Sequence, residues 1–360
     1  MDTSATYPMI GLMSGTSGDG LDIVFASFDY NRGWTFDLVC GETIPFPDDL
    51  GHDLTRSHLV KGEDLALLDI RFGQWMGIQV ADFCLRNRVR PLAVASHGHT
   101  VFHQPEKHLT LQIGNGWALH AACHLPVIND FRTLDVQLGG QGAPLVPVGD
   151  KLLFPAYDYC LNLGGIANIS MERDSQRIAF DVCPFNLLFN HFAKKAGMPF
   201  DDSGNLARSG SVIPHLLEAL SNAPYYAQKG AKSLGREDIE KSFLPLTDIP
   251  VLDPRDILAT LSEHFAAVIA KSINETSPKN ALLLATGGGA LNAFFLKKLA
   301  SKLGSDTILN VPDETLIAYK EALVFAFLGI LRLRKENNSL ASVSGASRDN
   351  CGGTLYGLEI

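Results

Sequence analysis

Two apolar segments of the chain are each interrupted by a short glycine turn, and this repeated pattern restricts the fold more than any other feature. In the first segment, residues 9–28, apolar runs flank a turn made of Gly, Ser, Thr and Asp. In the second, residues 159–170, the interruption is Gly164 and Gly165. Apolar runs joined by a short Gly-bearing loop are typical of β-hairpins. Two halves that each begin with such a hairpin indicate an α/β protein with one duplicated supersecondary plan.

The turn of the first hairpin has a composition suited to phosphate. Three of the six residues 15–20 are glycines, which let backbone N–H groups point into one concavity. Thr16 and Ser17 add hydroxyl donors, and Asp19 and Asp22 can hold a metal ion through water. An ordinary hairpin with a polar turn is the alternative from local sequence alone. The candidate phosphate-binding residues are Gly15, Thr16, Ser17, Gly18, Asp19, Gly20, Leu21 and Asp22.

A third glycine turn, Gly287, Gly288 and Gly289, lies between a predicted strand at 281–285 and a predicted helix at 291–303. Free N–H groups and a helix dipole at one spot favour a nucleotide phosphate, although a tight connection would also use glycine. The chain has no G-x-x-x-x-G-K-[ST] motif, and no G-x-G-x-x-G follows the first strand. These absences argue against a P-loop and against a dinucleotide fingerprint.

Polar residues follow a predicted buried strand at 91–96, and the carboxyl end of a parallel strand commonly faces a site. Three histidines lie within seven residues, but no cysteine or acidic ligand is near them, which argues against zinc. We therefore predict a polar loop that contacts substrate. The residues of this loop are His97, Gly98, His99, Thr100 and His103.

Three further charged residues are candidates for a site. Asp181 is expected where a strand at 177–181 ends, as a base at a cleft or as the N-cap of the next helix. Arg132 follows a short buried run among polar residues. Glu321 is expected in the first turn of a helix at 319–334, where an acidic residue is favourable for the helix dipole alone.

Composition limits the possible classes of protein. The chain has 360 residues, 46% hydrophobic and 19% charged, which is sufficient for a sizeable core in two to three domains. A net charge of −9 argues against a nucleic-acid partner. The start has no signal-like segment, and the longest apolar stretch, 322–331, is shorter than a membrane span. We expect a cytoplasmic protein without a membrane partner.

A glycine cluster at 139–142 is the candidate domain crossover. It predicts an N-terminal domain of residues 1–138 plus about 336–360, and a C-terminal domain of residues 139–335.

Taken in order, the motifs resemble those of the anhydro-N-acetylmuramic acid kinase family nearly end to end. The resemblance rests on GLMSGTSGDGLD, SHGHTVFHQP, TLQIG, DFR, GGQGAPLVP, LNLGGIANIS, AFD, TGGGALN, KEAL and SVSGASRD. It implies the actin-like ATPase fold, with two ribonuclease-H-like domains around a nucleotide cleft. It also implies ATP-dependent phosphorylation of 1,6-anhydro-N-acetylmuramic acid, with hydrolytic opening of the anhydro ring, in bacterial cell-wall recycling.

The resemblance also implies roles for single residues. Asp181 would activate water for attack at the anomeric carbon. Residues 15–22 would form the ATP phosphate loop, with Mg²⁺ accompanying ATP, and the family suggests a homodimer. Gly164 and Gly165 would approach the phosphates from the second domain, and Gly287 to Gly289 the nucleotide. The residues implied to hold the sugar are Arg132, Glu321, His97, Gly98, His99 and Thr100.

The chain departs from the family pattern after Asp181. The commonest family form is T-G-P-G-N, whereas here Val182, Cys183, Pro184, Phe185 and Asn186 follow. A phenylalanine in place of glycine is expected to narrow the sugar pocket. This leaves a kinase of the same fold acting on another amino sugar as an alternative.

Two further points follow from the family pattern. Asn115 stands where an aspartate is expected, which removes one charge near the cleft. A nucleotide-driven conformational module is a distant alternative. Such a module would need a large partner-binding domain, and too few residues remain outside the two core domains to form one.

Overall fold

The computed structural model describes residues 5–15, 20–228, 232–275 and 277–358, and the chain divides into two compact units. Unit 1 comprises Met1–Pro155 and Tyr319–Ile360, and unit 2 comprises Ala156–Ala318.

One main sheet forms the centre of unit 1. Its strands are β1 (Ala5–Ser14), β2 (Gly20–Tyr30), β3 (Trp34–Pro45), β4 (Ala93–Ser96), β7 (Val127–Asn129) and β13 (Thr354–Tyr356), and a separate antiparallel hairpin contains β5 (His99–Gln104) and β6 (Leu109–Ile113). The order in the described part of this sheet is β13-β7-β4-β1-β2-β3. β1, β2 and β3 form an antiparallel meander, while β4 pairs parallel to β1 and β7 pairs parallel to β4.

Helices of unit 1 pack beside this sheet. They are α1 (Asp48–Thr55), α2 (Gly62–Asn87), α3 (Gly116–Cys123), α4 (Thr133–Gln137), α5 (Val146–Leu153) and α14 (Ala341–Ser344). The long helix α2 buries Leu68, Phe72, Met76, Val80 and Phe83, a spacing of three to four residues that places them on one face. This face packs with apolar residues of β1 and β2 to form the core of unit 1.

Unit 2 repeats the arrangement of the unit 1 sheet. Its strands are β8 (Tyr159–Leu163), β9 (Ile166–Arg173), β10 (Gln176–Pro184), β11 (Ala281–Thr286) and β12 (Thr307–Asn310). Their order is β10-β9-β8-β11-β12, with an antiparallel meander of β8, β9 and β10 and with β11 parallel to both β8 and β12. A meander followed by two parallel strands on its first strand is the ribonuclease-H-like order, and it occurs once in each unit. The predicted duplicated fold is therefore confirmed.

Helices of unit 2 surround a core of aliphatic and phenylalanine side chains. They are α6 (Asn186–Lys195), α7 (Asn205–Ser209), α8 (Pro214–Ser221), α9 (Arg236–Ser242), α10 (Leu244–Thr247), α11 (Pro254–Asn274) and α12 (Ala293–Lys302). The division between the units falls within α13 (Glu314–Leu333). None of the helices in the described ranges has the length and apolar character needed to cross a bilayer.

The boundaries of the units differ from those expected from the glycine cluster at 139–142. The expected domains were 1–138 plus about 336–360 and 139–335, whereas the structure divides the chain after Pro155 and after Ala318. Aromatic packing explains the shift. Phe154 lies 5.4 Å from Phe36 of β3, and Phe327 lies 5.7 Å from Phe28 of β2. Both flanking segments are thus tied to the sheet of unit 1.

Candidate active site

Arg132 is the centre of a polar cluster in unit 1, just after β7. Its Nε and one terminal nitrogen donate to Nε2 of His97 at 3.0 and 2.9 Å, and its other terminal nitrogen donates to the carbonyl of Gly142 at 2.6 Å. Nδ1 of His97 donates to the carbonyl of Gly98 at 2.8 Å. Because Nε2 accepts while Nδ1 donates, His97 is the neutral tautomer with its proton on Nδ1.

Burial and the neighbouring guanidinium hold the pKa of His97 well below its usual range, which agrees with this tautomer. Burial also lowers the pKa of Arg132 to about 10, so the guanidinium is still a cation at neutral pH. Among the described residues, one N–H on each terminal nitrogen of Arg132 has no partner. The arrangement offers a fixed cationic fork for an oxygen-rich ligand.

Two carboxylates of unit 1 belong to the same electrostatic group. Burial raises the pKa of Glu321, Asp22 raises it further, and the charge of Arg132 opposes the rise. Burial likewise raises the pKa of Asp22, whose Oδ1 accepts a hydrogen bond from Thr43 Oγ1 at 2.6 Å. Glu321 was expected in the first turn of its helix. The helix begins at Glu314, about two turns earlier, so the helix dipole does not account for Glu321.

The histidine segment is a strand, and the prediction of a polar loop was wrong for most of it. His99 begins β5 and pairs with Ile113 of β6, because the alternating side chains of 99–104 suit a two-stranded ribbon. The buried Ser14 Oγ and His99 Nδ1 lie 3.1 Å apart, and Thr100 Oγ1 accepts from Gln112 Nε2 at 3.4 Å. Within the described ranges, no group of three or more His, Cys, Asp or Glu residues could hold a metal ion.

The proposed phosphate turn of the first hairpin is only partly described. Thr16, Ser17, Gly18 and Asp19 lie outside the described residues. Gly20 begins β2, and a Cβ there would lie 2.7 Å from the carbonyl oxygen of Ile44, so the position requires glycine. Leu21 is fully buried in the core of unit 1, so only its backbone can face a ligand.

Asp181 is the central polar residue of unit 2. It lies within β10 rather than at the end of a strand, and the N-cap of α6 is Phe185, so the N-cap interpretation was wrong. A bulge between Asp181 and Cys183 interrupts the pairing of β10 with β9. Bulges redirect side chains and are frequent beside active sites.

The carboxylate of Asp181 is held by a distant segment of the chain. Its Oδ2 accepts from the backbone N–H of Leu234 at 2.8 Å and from Ser233 Oγ at 3.2 Å. Burial raises the pKa of Asp181, while these two hydrogen bonds oppose the rise. No local signal reveals a contact between residues 52 positions apart.

The two glycine turns of unit 2 come together at the carboxyl ends of β8 and β11. The carbonyl of Gly164 accepts from the backbone N–H of Asn186 at 3.1 Å. Asn186 Nδ2 donates to the carbonyl of Leu163 at 3.1 Å. Gly287 has a φ of +79°, and a Cβ there would lie 2.4 Å from Asn162 Oδ1. The two turns and the start of α6 thus form one surface in unit 2.

The triple-glycine turn has one exposed member. A Cβ on Gly288 would meet only Asn186 Nδ2, at 3.9 Å, whereas a Cβ on Gly289 would lie 2.3 Å from the ring of Phe185. The turn does not lead directly into a helix as expected. A short 3₁₀ segment, Gly288–Leu291, comes first, and Asn292 then caps α12 by accepting from the N–H of Phe295. The backbone at Gly288, rather than the N-terminus of α12, is therefore available to a phosphate.

Phe185 does not line a pocket. It is fully buried in the core of unit 2, where its ring lies 4.7 Å from that of Phe295 and 4.9 Å from that of Phe189. Cys183 is also fully buried. The expectation that Phe185 narrows a sugar pocket is therefore wrong. The departure from T-G-P-G-N changes the core beneath the glycine turn.

The repeated ribonuclease-H-like sheets, with glycine turns at their strand ends, define a protein with the actin-like ATPase fold. Residues 7–357 match the sequence model of anhydro-N-acetylmuramic acid kinase, so the chain belongs to the anhydro-N-acetylmuramic acid kinase family.

Relatives of similar length agree with this assignment. The chain is 34% identical to the anhydro-N-acetylmuramic acid kinase of Pseudomonas paraeruginosa, over 96% of this chain and 98% of that protein. It is 35% identical to the enzyme of Chromobacterium violaceum, with the same coverage. Among solved structures, component A of the Acidaminococcus fermentans (R)-2-hydroxyglutaryl-CoA dehydratase is 12% identical. Its TM-score is 0.45, with 89% of this chain and 96% of that chain covered.

Proposed function

We propose that this protein is an ATP-dependent kinase that hydrolytically opens 1,6-anhydro-N-acetylmuramic acid and phosphorylates it to N-acetylmuramic acid 6-phosphate. The observation that carries the proposal is the family match, which extends over residues 7–357 and so includes the polar clusters of both units. Recycling of cell-wall sugar is the setting that this reaction serves.

Asp181 is proposed as the general base. Its Oδ2 is already hydrogen-bonded, whereas its Oδ1 accepts no hydrogen bond from any residue in the described ranges and can take a proton from water. The water oxygen attacks the anomeric carbon as its proton passes to Asp181, and the bond from that carbon to O6 breaks with the electron pair remaining on O6. Asp181 later releases the proton to solvent. General-base assistance of this kind typically contributes about 10²- to 10⁴-fold.

Phosphoryl transfer follows ring opening. The freed O6 attacks the γ-phosphorus of ATP, the bond to the bridging oxygen breaks, and ADP leaves. Positioning and charge neutralisation account for most of the catalysis in such transfers. Residues 15–22 of unit 1 and the turns Gly164–Gly165 and Gly287–Gly289 of unit 2 are proposed to hold the phosphates through backbone N–H groups.

Mg²⁺ is proposed to accompany ATP. Asp22 fits this ion, because only Oδ1 of its carboxylate is hydrogen-bonded among the described residues and carboxylate oxygens suit Mg²⁺. When bound, the ion would neutralise phosphate charge.

The sugar is proposed to contact Arg132, Glu321 and the segment from His97 through Gly98 and His99 to Thr100. The two N–H groups of Arg132 that remain suit a sugar oxygen or the lactyl carboxylate of the muramic sugar. The partly buried Glu321 suits a sugar hydroxyl. The proposed dependence on ATP supports a cytoplasmic setting, and the family resemblance supports a homodimer.

A kinase of another amino sugar was the alternative that Phe185 suggested. Its basis was a narrower pocket, and the burial of Phe185 in the core of unit 2 removes that basis. The substrate of the family's name is therefore the better supported of the two.

The proposal is tested by incubating the protein with Mg-ATP and a panel of amino sugars, followed by mass spectrometry. We expect 1,6-anhydro-N-acetylmuramic acid to gain the mass of one water and one phosphate group, with ADP formed in equal amount. Phosphorylation of N-acetylglucosamine without turnover of the anhydro sugar would overturn the proposal.

A further inference from the structure

We propose that Ser233 is a positioning residue that, together with the backbone N–H of Leu234, fixes the carboxylate of Asp181 so that one oxygen faces the reacting water. The inference rests on the proposed role of Asp181 as general base and adds to it the group that orients the base. Ser233 is an exposed residue shortly before α9.

Both donors reach the same carboxylate oxygen. Leu234 N and Ser233 Oγ lie 2.8 and 3.2 Å from Oδ2 of Asp181. Among the residues described, none is hydrogen-bonded to Oδ1 of Asp181. Two donors on one oxygen fix the plane of the carboxylate, and the second oxygen is left as the proton acceptor.

The segment that carries Ser233 is itself tied to β10. The backbone N–H of Asp181 donates to the carbonyl of Lys232 at 3.0 Å, and Tyr225 Oη donates to the carbonyl of Asp181 at 2.6 Å. Leu234 is buried in the core of unit 2. The ammonium of Lys232 lies 4.4 Å from the ring centre of Tyr225, a favourable cation–π contact. The hydroxyl of Ser233 is therefore presented by an anchored backbone.

The hydrogen bond from Ser233 to Asp181 affects a measurable quantity, the pKa of the Asp181 carboxyl group. In the part of the chain that the structure describes, the other titratable groups around Asp181 are Cys183, Tyr225 and Lys232. Burial raises the pKa of Cys183 and of Tyr225, so both are neutral at neutral pH, and burial lowers the pKa of Lys232. The hydrogen bond from Ser233 lowers the pKa of Asp181. Its removal must raise that pKa and so move the acid limb of activity upward in pH.

The test compares Ser233→Ala with Ser233→Thr, which keeps the hydroxyl. The matched control is Ser209→Ala, because Ser209 is also an exposed serine of unit 2 and donates only to a backbone carbonyl, that of Leu206. For Ser233→Ala we expect kcat to fall about three- to tenfold at neutral pH, while KM for ATP stays within about twofold. The acid limb of kcat/KM should move upward by roughly half a pH unit. Ser233→Thr should restore both, and Ser209→Ala should match the wild type.

The outcomes separate this inference from the proposed function. If Asp181→Asn remains active, Asp181 is not the base, so its role as base and the positioning role of Ser233 both fail while the sugar-kinase reaction itself can still stand. If Asp181→Asn is inactive while Ser233→Ala keeps the wild-type acid limb, only the positioning role is wrong. A lower melting temperature in Ser233→Ala with an unmoved pH profile would assign Ser233 a structural role and overturn the inference.

Discussion

The two units share one strand order but place opposite charges at different points of it. In unit 1 the central group is the guanidinium of Arg132, which follows the last parallel strand of the series, β7. In unit 2 it is the carboxylate of Asp181, which lies within the last strand of the meander, β10. The shared sheet order therefore does not determine which strand places a charged side chain at the candidate site.

The hydrogen-bond partners that hold the two charged groups also differ in kind. Arg132 is held by acceptors, the neutral imidazole of His97 and the carbonyl of Gly142. Asp181 is held by donors, the hydroxyl of Ser233 and the N–H of Leu234. In each case the supporting groups leave part of the charged group unpaired among the described residues. Equivalent scaffolds have thus been specialised by local partners rather than by topology.

The largest expected effect is the loss of turnover when Asp181 of unit 2 is replaced. Asp181→Asn keeps the shape but removes the proton acceptor, so turnover of the anhydro sugar should fall by about 10²- to 10⁴-fold or more. ATP binding, measured by calorimetry, should stay near that of the wild type. Activity within about tenfold of the wild type would exclude Asp181 as the base.

The corresponding test in unit 1 is Arg132→Lys. A single ammonium cannot reproduce the planar fork that bonds to both His97 and Gly142, so we expect kcat/KM for the sugar to fall about 10- to 100-fold. Steady-state kinetics at fixed ATP would measure this. Arg71→Lys, an exposed arginine of the same unit, is the control and should behave as wild type. Equal kinetics for the two variants would show that the fork of Arg132 is not used.

Alanine substitutions at two neighbouring glycines of unit 2 should differ in their effect on the free energy of unfolding. Gly289→Ala would place a Cβ 2.3 Å from Phe185 Cε1 and 2.8 Å from Leu163 Cβ. We expect a loss of about 1–3 kcal/mol in the free energy of unfolding, because overpacking forces neighbours to move. Gly288→Ala meets no atom closer than 3.9 Å and should unfold at the wild-type urea concentration. Similar midpoints for the two variants would contradict the packing described for this turn.

A buried histidine of unit 2 makes the stability of the protein depend on pH. Burial lowers the pKa of His264 to about 4, from an ordinary value of 6.5. Between these values the unfolded chain binds a proton that the folded chain does not, so stability must fall as pH falls from 6.5 towards 4.

The contribution of His264 is on the order of 2–3 kcal/mol across that range. Unfolding in urea at several pH values would show it as a shallower pH dependence in His264→Phe than in the wild type. His97 of unit 1, also held neutral, would keep its own contribution in that variant. Identical slopes for the two proteins would show that His264 does not carry this effect.

Local patterns were sufficient to predict most elements. The helix Pro254–Asn274 has local signals of this kind, because Asp253 caps it and its apolar residues repeat with helical spacing. The hairpin of β8 and β9 and the strand β11 also follow from short apolar runs next to glycine turns. In these segments local propensity and tertiary packing favour the same structure.

What the sequence did not reveal depends on contacts between distant residues. The bulge beside Asp181 and its bonds to Ser233 and Leu234 have no local pattern. The burial of Phe185 depends on Phe295 and Phe265, far along the chain. The unit boundaries depend on which sheet Phe154 and Phe327 pack against. The roles of the site residues rest on the family resemblance and remain predictions.

The contact between Phe185 and Gly289 has a consequence for how such chains diverge. The ring of one residue fills the space that a side chain on the other would need. The two positions therefore compete for one volume, which Leu163 also bounds, so a larger residue at 289 needs both a smaller residue at 185 and a shift of Leu163. The phenylalanine therefore adds to the restriction that Leu163 already places on a glycine about a hundred residues away from position 185.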